Sequence, residues 1–383
     1  MALTSYGPQR EYSLRDKFHK INWGLILLVG LIACFGFAML YSAAGGSFSP
    51  WAARQMGRFA IGLVILIAVA CVDLRVWMGL AYPAYGFSLL LLVGVEVAGR
   101  IGMGAQRWIE LGPLQLQPSE LMKIAMILAL ARYLHGLEPG QVSRPWRLLA
   151  PLALIVAPVA LVLLEPNLGT ATILALSGAL LLFLAGLSWY WIVPAFSAVA
   201  IAVPVAWEFV LHDYQKQRVL TFLNPDLDAL GAGWNITQAK IALGSGGIAG
   251  KGFLMGTQSR LNFLPEKETD FIFTIVGEEF GFLGTIALLA LFALVIYYGV
   301  RIAMASRSQF GRLLAMGITM NFFLYIMING MMVMGLIPVV GIPMPLISYG
   351  GTAMMTVMFG FGLLMSVHVH QRVEVPRHAS GMI

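Results

Sequence analysis

The chain has 383 residues, 59% of them hydrophobic and 11% charged, and its mean hydropathy is +0.82. A soluble surface is about a quarter charged, so a soluble multidomain protein is excluded and a polytopic membrane protein is implied. The net charge of +6 does not indicate nucleic acid, because the basic residues stand singly between apolar runs with no basic stripe or recognition helix.

Ten apolar runs, each near the roughly 20 residues that cross a bilayer, lie at 22–43, 56–72, 77–98, 118–134, 147–164, 169–187, 190–210, 271–300, 313–336 and 348–369. The first ends in Ser42-Ala43-Ala44-Gly45, small residues like a signal cleavage site, but it exceeds the roughly 7 to 15 residues of a signal core and reads as a retained anchor. Cys34 and Cys71 fall in or at the end of such runs, leaving neither a disulfide framework nor a zinc site. With the N-terminal tail in the cytoplasm, thirteen basic residues fall inside: Arg10, Arg15, Lys17, Lys20, Arg75, Arg132, Arg144, Arg147, Arg301, Arg307, Arg312, Arg372 and Arg377. The short outer loops then hold only Arg54, Arg58, Arg100 and Arg107. The asymmetry places both termini in the cytoplasm. The expected layout is an all-α protein of about ten transmembrane helices: a tail at 1–21, helices 1–7 over 22–210, a loop at 211–270, helices 8–10 over 271–370 and a tail at 371–383.

Charges inside or beside these runs mark the candidate site. Glu120 and Lys123 open the fourth run three residues apart, on one helical face where an ion pair forms. Charge in a span normally faces a partner or a polar cavity, so a structural pair near the interface and a cavity-lining pair both stand open. Upstream, Gly104-Ala105-Gln106-Arg107-Trp108 supplies a cation and an amphipathic ring at the outer interface.

The connection from 211 to 270 is the longest in the chain. Loops of such length are functional or disordered, and Phe222, Trp234, Phe253 and Phe263 with the glycine punctuation at 244–252 favour an ordered outer loop. It closes on Leu264-Pro265-Glu266-Lys267-Glu268-Thr269-Asp270-Phe271. Acids at alternate positions there offer oxygen ligands for a divalent cation. Thr269 or Asp270 is placed to cap the following helix; Asp270 is equally placed as a general base, kept ionised by the helix dipole. Glu278 and Glu279 lie one to two turns deeper, where a carboxylate needs a cation or a wet cavity.

Gly244-Ser245-Gly246-Gly247-Ile248-Ala249-Gly250-Lys251-Gly252, then Gly256-Thr257-Gln258-Ser259, Phe263-Leu264-Pro265-Glu266 and Thr269-Asp270-Phe271-Ile272-Phe273 closely resemble the signature of the SEDS family, in its RodA branch. Gln117-Pro118-Ser119-Glu120, His212-Asp213-Tyr214-Gln215-Lys216-Gln217-Arg218-Val219 and Pro345-Leu346-Ile347-Ser348-Tyr349-Gly350-Gly351 extend the likeness over nearly the whole chain. It implies a peptidoglycan glycosyltransferase of the bacterial inner membrane that polymerises lipid II during elongation, beside a class B penicillin-binding transpeptidase and other elongation-complex proteins. The family's outer-loop aspartate falls on Asp270 and its in-membrane acid and base on Glu120 and Lys123. The substrate-binding set implied is Arg107, Glu120, Lys123, Arg218, Lys251, Gln258, Ser259, Glu278 and Ser348. Two departures stand out: Asn262 where relatives often carry an acid, and Glu165-Pro166-Asn167-Leu168-Gly169 where they commonly read Gln-Pro-Asp-Leu-Gly.

In that reading Asp270 receives the proton of an attacking sugar hydroxyl, as in inverting glycoside chemistry. Arg107, Lys123 and Arg218, with Mg²⁺ or Mn²⁺, offset the pyrophosphate charge that grows on the leaving group. Lys251, Arg260 and Lys267 do the same or are solvated. A flippase for a lipid-linked sugar is the rival, since charges in spans also mark translocation paths; a scaffold that only recruits partners would have no need of buried Glu120 and Lys123.

Overall fold

A computed structural model describes residues 13–374 except 99, 103–104, 112–113, 139, 166, 210–212, 225–231 and 262–265. The helices are α1 (Leu14–His19), α2 (Trp23–Ala43), α3 (Ala52–Ala70), α4 (Leu74–Ala98), α5 (Pro118–His135), α6 (Pro145–Leu164), α7 (Leu168–Leu184), α8 (Trp189–Phe209), α9 (Asp213–Leu223), α10 (Ala232–Ser245), α11 (Thr257–Arg260), α12 (Ile272–Ala305), α13 (Gln309–Val333) and α14 (Gly351–Val369). Each of the ten apolar runs coincides with one of these helices, giving a polytopic all-α membrane fold. Among the described residues, α2, α3, α4, α6, α12, α13 and α14 are long and apolar enough to cross a bilayer. Of the others, α7 has 17 residues and α5 carries Glu120, Lys123 and Arg132.

The described residues of the long connection after α8 include α9, α10 and α11. The sequence did not suggest a small antiparallel sheet, but one stands between α4 and α5. It comprises β1 (Arg100–Gly102), β2 (Ala105–Leu111) and β3 (Leu114–Leu116), in the order β1-β2-β3, and it carries Arg107.

With no gain from moving apolar surface from lipid to protein, spanning helices associate through close packing at small residues. The α3–α14 pair follows this rule. A Cβ at Gly62 would stand 2.8 Å from Met358 Cγ, and one at Gly362 would stand 2.7 Å from Val69 Cβ. Helix α5 packs against α4, α7 and α13, which buries Glu120 and Lys123 in the middle of the bundle.

Candidate active site

The site is built around a broken helix. The apolar run from 271 predicts one continuous span, yet α12 is interrupted at Gly281 (φ 64°, ψ −159°), leaving a short half-helix over 272–280. An interruption frees backbone groups that cost several kcal/mol each in hydrocarbon unless paired. The glycine run supplies the partners. Lys251 N donates to Glu278 O (3.0 Å) and Gly252 N to Glu279 O (3.0 Å), while Phe282 N donates to Gly247 O (2.9 Å) and Leu283 N to Ile248 O (3.1 Å). These carbonyls and amides are the ones an unbroken helix would have paired with each other. Only glycine fits here: a Cβ at Gly250 (φ +82°) would collide with the Glu279 carbonyl.

Side chains reinforce the clasp. Glu278, 1% exposed, accepts through Oε1 from Lys251 Nζ (2.7 Å), Thr257 N (2.7 Å), Thr257 Oγ1 (2.9 Å) and Gln258 N (3.0 Å). Glu279 accepts from the Ser42 hydroxyl at the end of α2. Of the expected substrate-binding residues, Lys251, Gln258 and Glu278 are thus brought together, in a staple that fastens the outer segment to the half-helix.

Asp270 stands just before that half-helix. Its carboxylate lies against Gly341, where a Cβ would be 3.4 Å from Oδ2. The main chain around it is stitched to the segment between α13 and α14. Asn329 Nδ2 donates to Asp270 O (2.8 Å) and to Ile342 O (2.7 Å). Tyr349 N donates to Glu268 O (2.8 Å), and the Ser348 hydroxyl donates to Thr269 O (2.5 Å) while accepting from Met344 N (2.7 Å). Gln55 Nε2 on α3 donates to Ser348 O (3.0 Å). Ser348, expected to bind substrate, spends its hydroxyl on this stitching. Thr269 does not cap α12: its hydroxyl bonds Glu266 O and Oε2 (3.1 and 3.0 Å), and the N-cap residue is Phe271. Beside them, burial lowers the Lys267 amine, opposed by Glu268, and burial raises the Glu268 carboxyl above its ordinary range.

Glu120 and Lys123 pair at 2.6 Å, 5% and 1% exposed. The Tyr325 hydroxyl lies 3.1 Å from both Glu120 oxygens, and Lys123 Nζ sits 4.3 Å from the centre of the Tyr325 ring. One cleft runs past Glu120, Asn321, Tyr325, Thr356 and Val357; a second, lined by Gln55, Met344 and Ser348, shares Tyr325 and Val357 with it. Tyr325 and Val357 therefore stand on the walls of both.

Arg107 Nε donates to Glu165 O (3.3 Å). Asn167 caps α7, its Oδ1 accepting from Thr170 N (3.3 Å), a role Asn and Asp fill equally. Next to it, Gly169 packs against Val340 and Ile342, the residues on either side of Gly341. Arg218 lies on α9 and Ser259 on α11, with their side chains outside the described residues; so is Asn262. Arg260 is exposed. Sequence reasoning missed Gln55, Tyr325 and Asn329, whereas Tyr349 stood in the motif at 345–351. An amide within an apolar run was the available signal for Asn329; Gln55 lies one residue before its run.

A model of the FtsW/RodA/SpoVE family, described as cell cycle protein, matches residues 19–373. The chain belongs to this family. It is 44% identical over 359 residues to the peptidoglycan glycosyltransferase MrdB of Escherichia coli K12, covering 94% of this chain and 96% of that protein. A chain from a structure described as structural coordination of polymerization and crosslinking by a peptidoglycan synthase complex is 35% identical, with a TM-score of 0.79 over 91% of this chain and 97% of that one. The crystal structure of the Thermus thermophilus rod shape determining protein RodA is 31% identical, with a TM-score of 0.70 over 92% and 97%.

Proposed function

We propose that this chain is a peptidoglycan glycosyltransferase that polymerises lipid II into glycan strands, with Asp270 as its general base. The observation that carries the reading is the setting of Asp270: a carboxylate at the start of a broken spanning helix, its backbone held from α13 and from the segment before α14. Near full-length identity to a relative named for this activity supports it.

The sugar 4-hydroxyl of one lipid-linked disaccharide attacks the anomeric carbon of the growing strand. Asp270 takes the hydroxyl proton, and the bond to undecaprenyl pyrophosphate breaks with its electrons leaving on the phosphate oxygen. Preorganised positive charge offsets that growing negative charge; Arg107, on the sheet, and Arg218, on α9, are the candidates. The prenyl tail stays in lipid while its head group reacts outside.

The protein lies in the bacterial inner membrane with both termini in the cytoplasm, and residues 211–270 face outward. A class B penicillin-binding transpeptidase crosslinks the strands beside it, together with other elongation-complex proteins. Among the described residues no three His, Cys, Asp or Glu side chains gather as a metal site. A divalent cation enters on the substrate pyrophosphate, as Mg²⁺ commonly does, and no step is assigned to it.

The test is purified protein with its transpeptidase partner in lipid II-containing vesicles, resolved for glycan strands and for lipid II movement between leaflets. Strands are expected. Movement without strands would replace this reading with the flippase.

A further inference from the structure

We propose that Asn329 is the positioning residue of Asp270, setting through one amide group both the backbone that carries the carboxylate and the wall on which it rests. The inference rests on the reading of Asp270 as the base. Asn329 is fully buried on α13. Its Nδ2 donates to Asp270 O at 2.8 Å and to Ile342 O at 2.7 Å, so both protons of the amide are used by acceptors on two different segments.

Those two acceptors settle the orientation of the side chain. Turned over, the amide would press Oδ1 against two carbonyl oxygens. Oδ1 therefore points elsewhere, and it is buried with no hydrogen-bond partner among the described residues. An orphaned buried acceptor is costly, and native cores rarely retain one without a reason. A leucine of similar volume would avoid that cost in an apolar span. What it could not do is bridge the two carbonyls.

The bridge falls where alignment matters. Asp270 Oδ2 rests against Gly341, the residue directly before Ile342. The bond to Ile342 fixes the wall, and the bond to Asp270 fixes the base relative to it. The neighbouring bonds from Ser348 and Tyr349 reach Thr269 and Glu268, one and two residues short of the base. Misplacing a catalytic group by about 1 Å costs about 100-fold in rate, so the expected defect is in turnover rather than in substrate binding.

The experiment compares wild type, Asn329→Leu, Asn329→Asp and Asp270→Asn, each purified with the transpeptidase partner, by initial rates of strand formation across lipid II concentration and pH. Asn329→Leu is expected to lower kcat about 100-fold with KM within about twofold. Asn329→Asp can donate only while its carboxyl is protonated. It should therefore keep more activity than Asn329→Leu near pH 5 and lose it as pH rises toward about 8, a fall the wild type does not show. A merely structural role would reduce the fraction of protein that binds lipid II and leave the pH profile parallel to wild type. The proposal is overturned by a kcat for Asn329→Leu within about threefold of wild type, or by an Asn329→Asp profile parallel to wild type. Should Asn329→Leu fail to fold, the Asn329→Asp profile decides alone. Asp270→Asn separates the two levels: if it keeps wild-type rate, the base reading fails, whereas an inactive Asp270→Asn beside a normal Asn329→Leu overturns only the positioning role.

Discussion

Glu278 and Lys251 meet at 2.7 Å across the break in α12, and the pair is unequal. The carboxylate is 1% exposed at its side chain and the ammonium 27%, and Glu278 also accepts from Thr257 and Gln258. Removing Glu278 therefore strands three donors and a cation, while removing Lys251 leaves the carboxylate with its other partners. Glu278→Leu should destabilise by about 3 kcal/mol, near the lower end for breaking a buried pair, and Lys251→Met by clearly less. Thermal unfolding of the two variants in detergent checks the order; equal losses would contradict it.

The glycine run makes a second, sharper contrast. Gly250→Ala places a methyl into the Glu279 carbonyl in a left-handed conformation, with at least about 1–2 kcal/mol of backbone strain before the clash is counted. Gly244, on α10, has open space around its Cβ position, and Ala there gains up to about 1 kcal/mol of helix propensity. The two melting temperatures should move in opposite directions.

Breaking the Glu120–Lys123 pair by Lys123→Met leaves a buried carboxylate whose remaining described donor is Tyr325, at a cost of about 3–5 kcal/mol. Replacing both, as Glu120→Leu with Lys123→Met, should recover most of that stability. Strand formation by the stable double variant then separates the roles. Lost activity assigns the pair to the reaction, and retained activity assigns it to structure.

Burial raises the Glu268 carboxyl above its ordinary value of 4.5, so the folded protein binds its proton more tightly than the unfolded chain does. Its contribution to stability is present below the ordinary value and falls as pH rises through the raised one. Glu268→Gln should flatten that part of the curve of melting temperature against pH, and an unchanged curve would contradict the assignment.

The spans, the i,i+3 pair of Glu120 and Lys123, and the placing of Asp270 at a helix start were all legible in the sequence, because each follows from hydropathy or helical period over a few neighbouring residues. The break at Gly281 was not. The apolar run continues unbroken through it, and what makes the break tolerable is backbone pairing with residues more than 25 positions upstream. Lys251 and Glu278 looked like substrate ligands for the same reason: nothing local shows that they face each other. Asn329 read as an ordinary member of an apolar span and Gln55 as a residue just before one, and only the folded positions of residues 268–270 and 342–350 give their amides something to hold. Two of the three strands in the sheet carrying Arg107 have only three residues, too few for alternation to register.

The most direct measurement is strand formation by Asp270→Asn, a change that keeps the size of the side chain and the backbone carbonyl that Asn329 holds. The account predicts a folded protein, melting within about 2 °C of wild type and still binding lipid II, that makes no glycan strands at any pH. Strands formed at a near wild-type rate would contradict it.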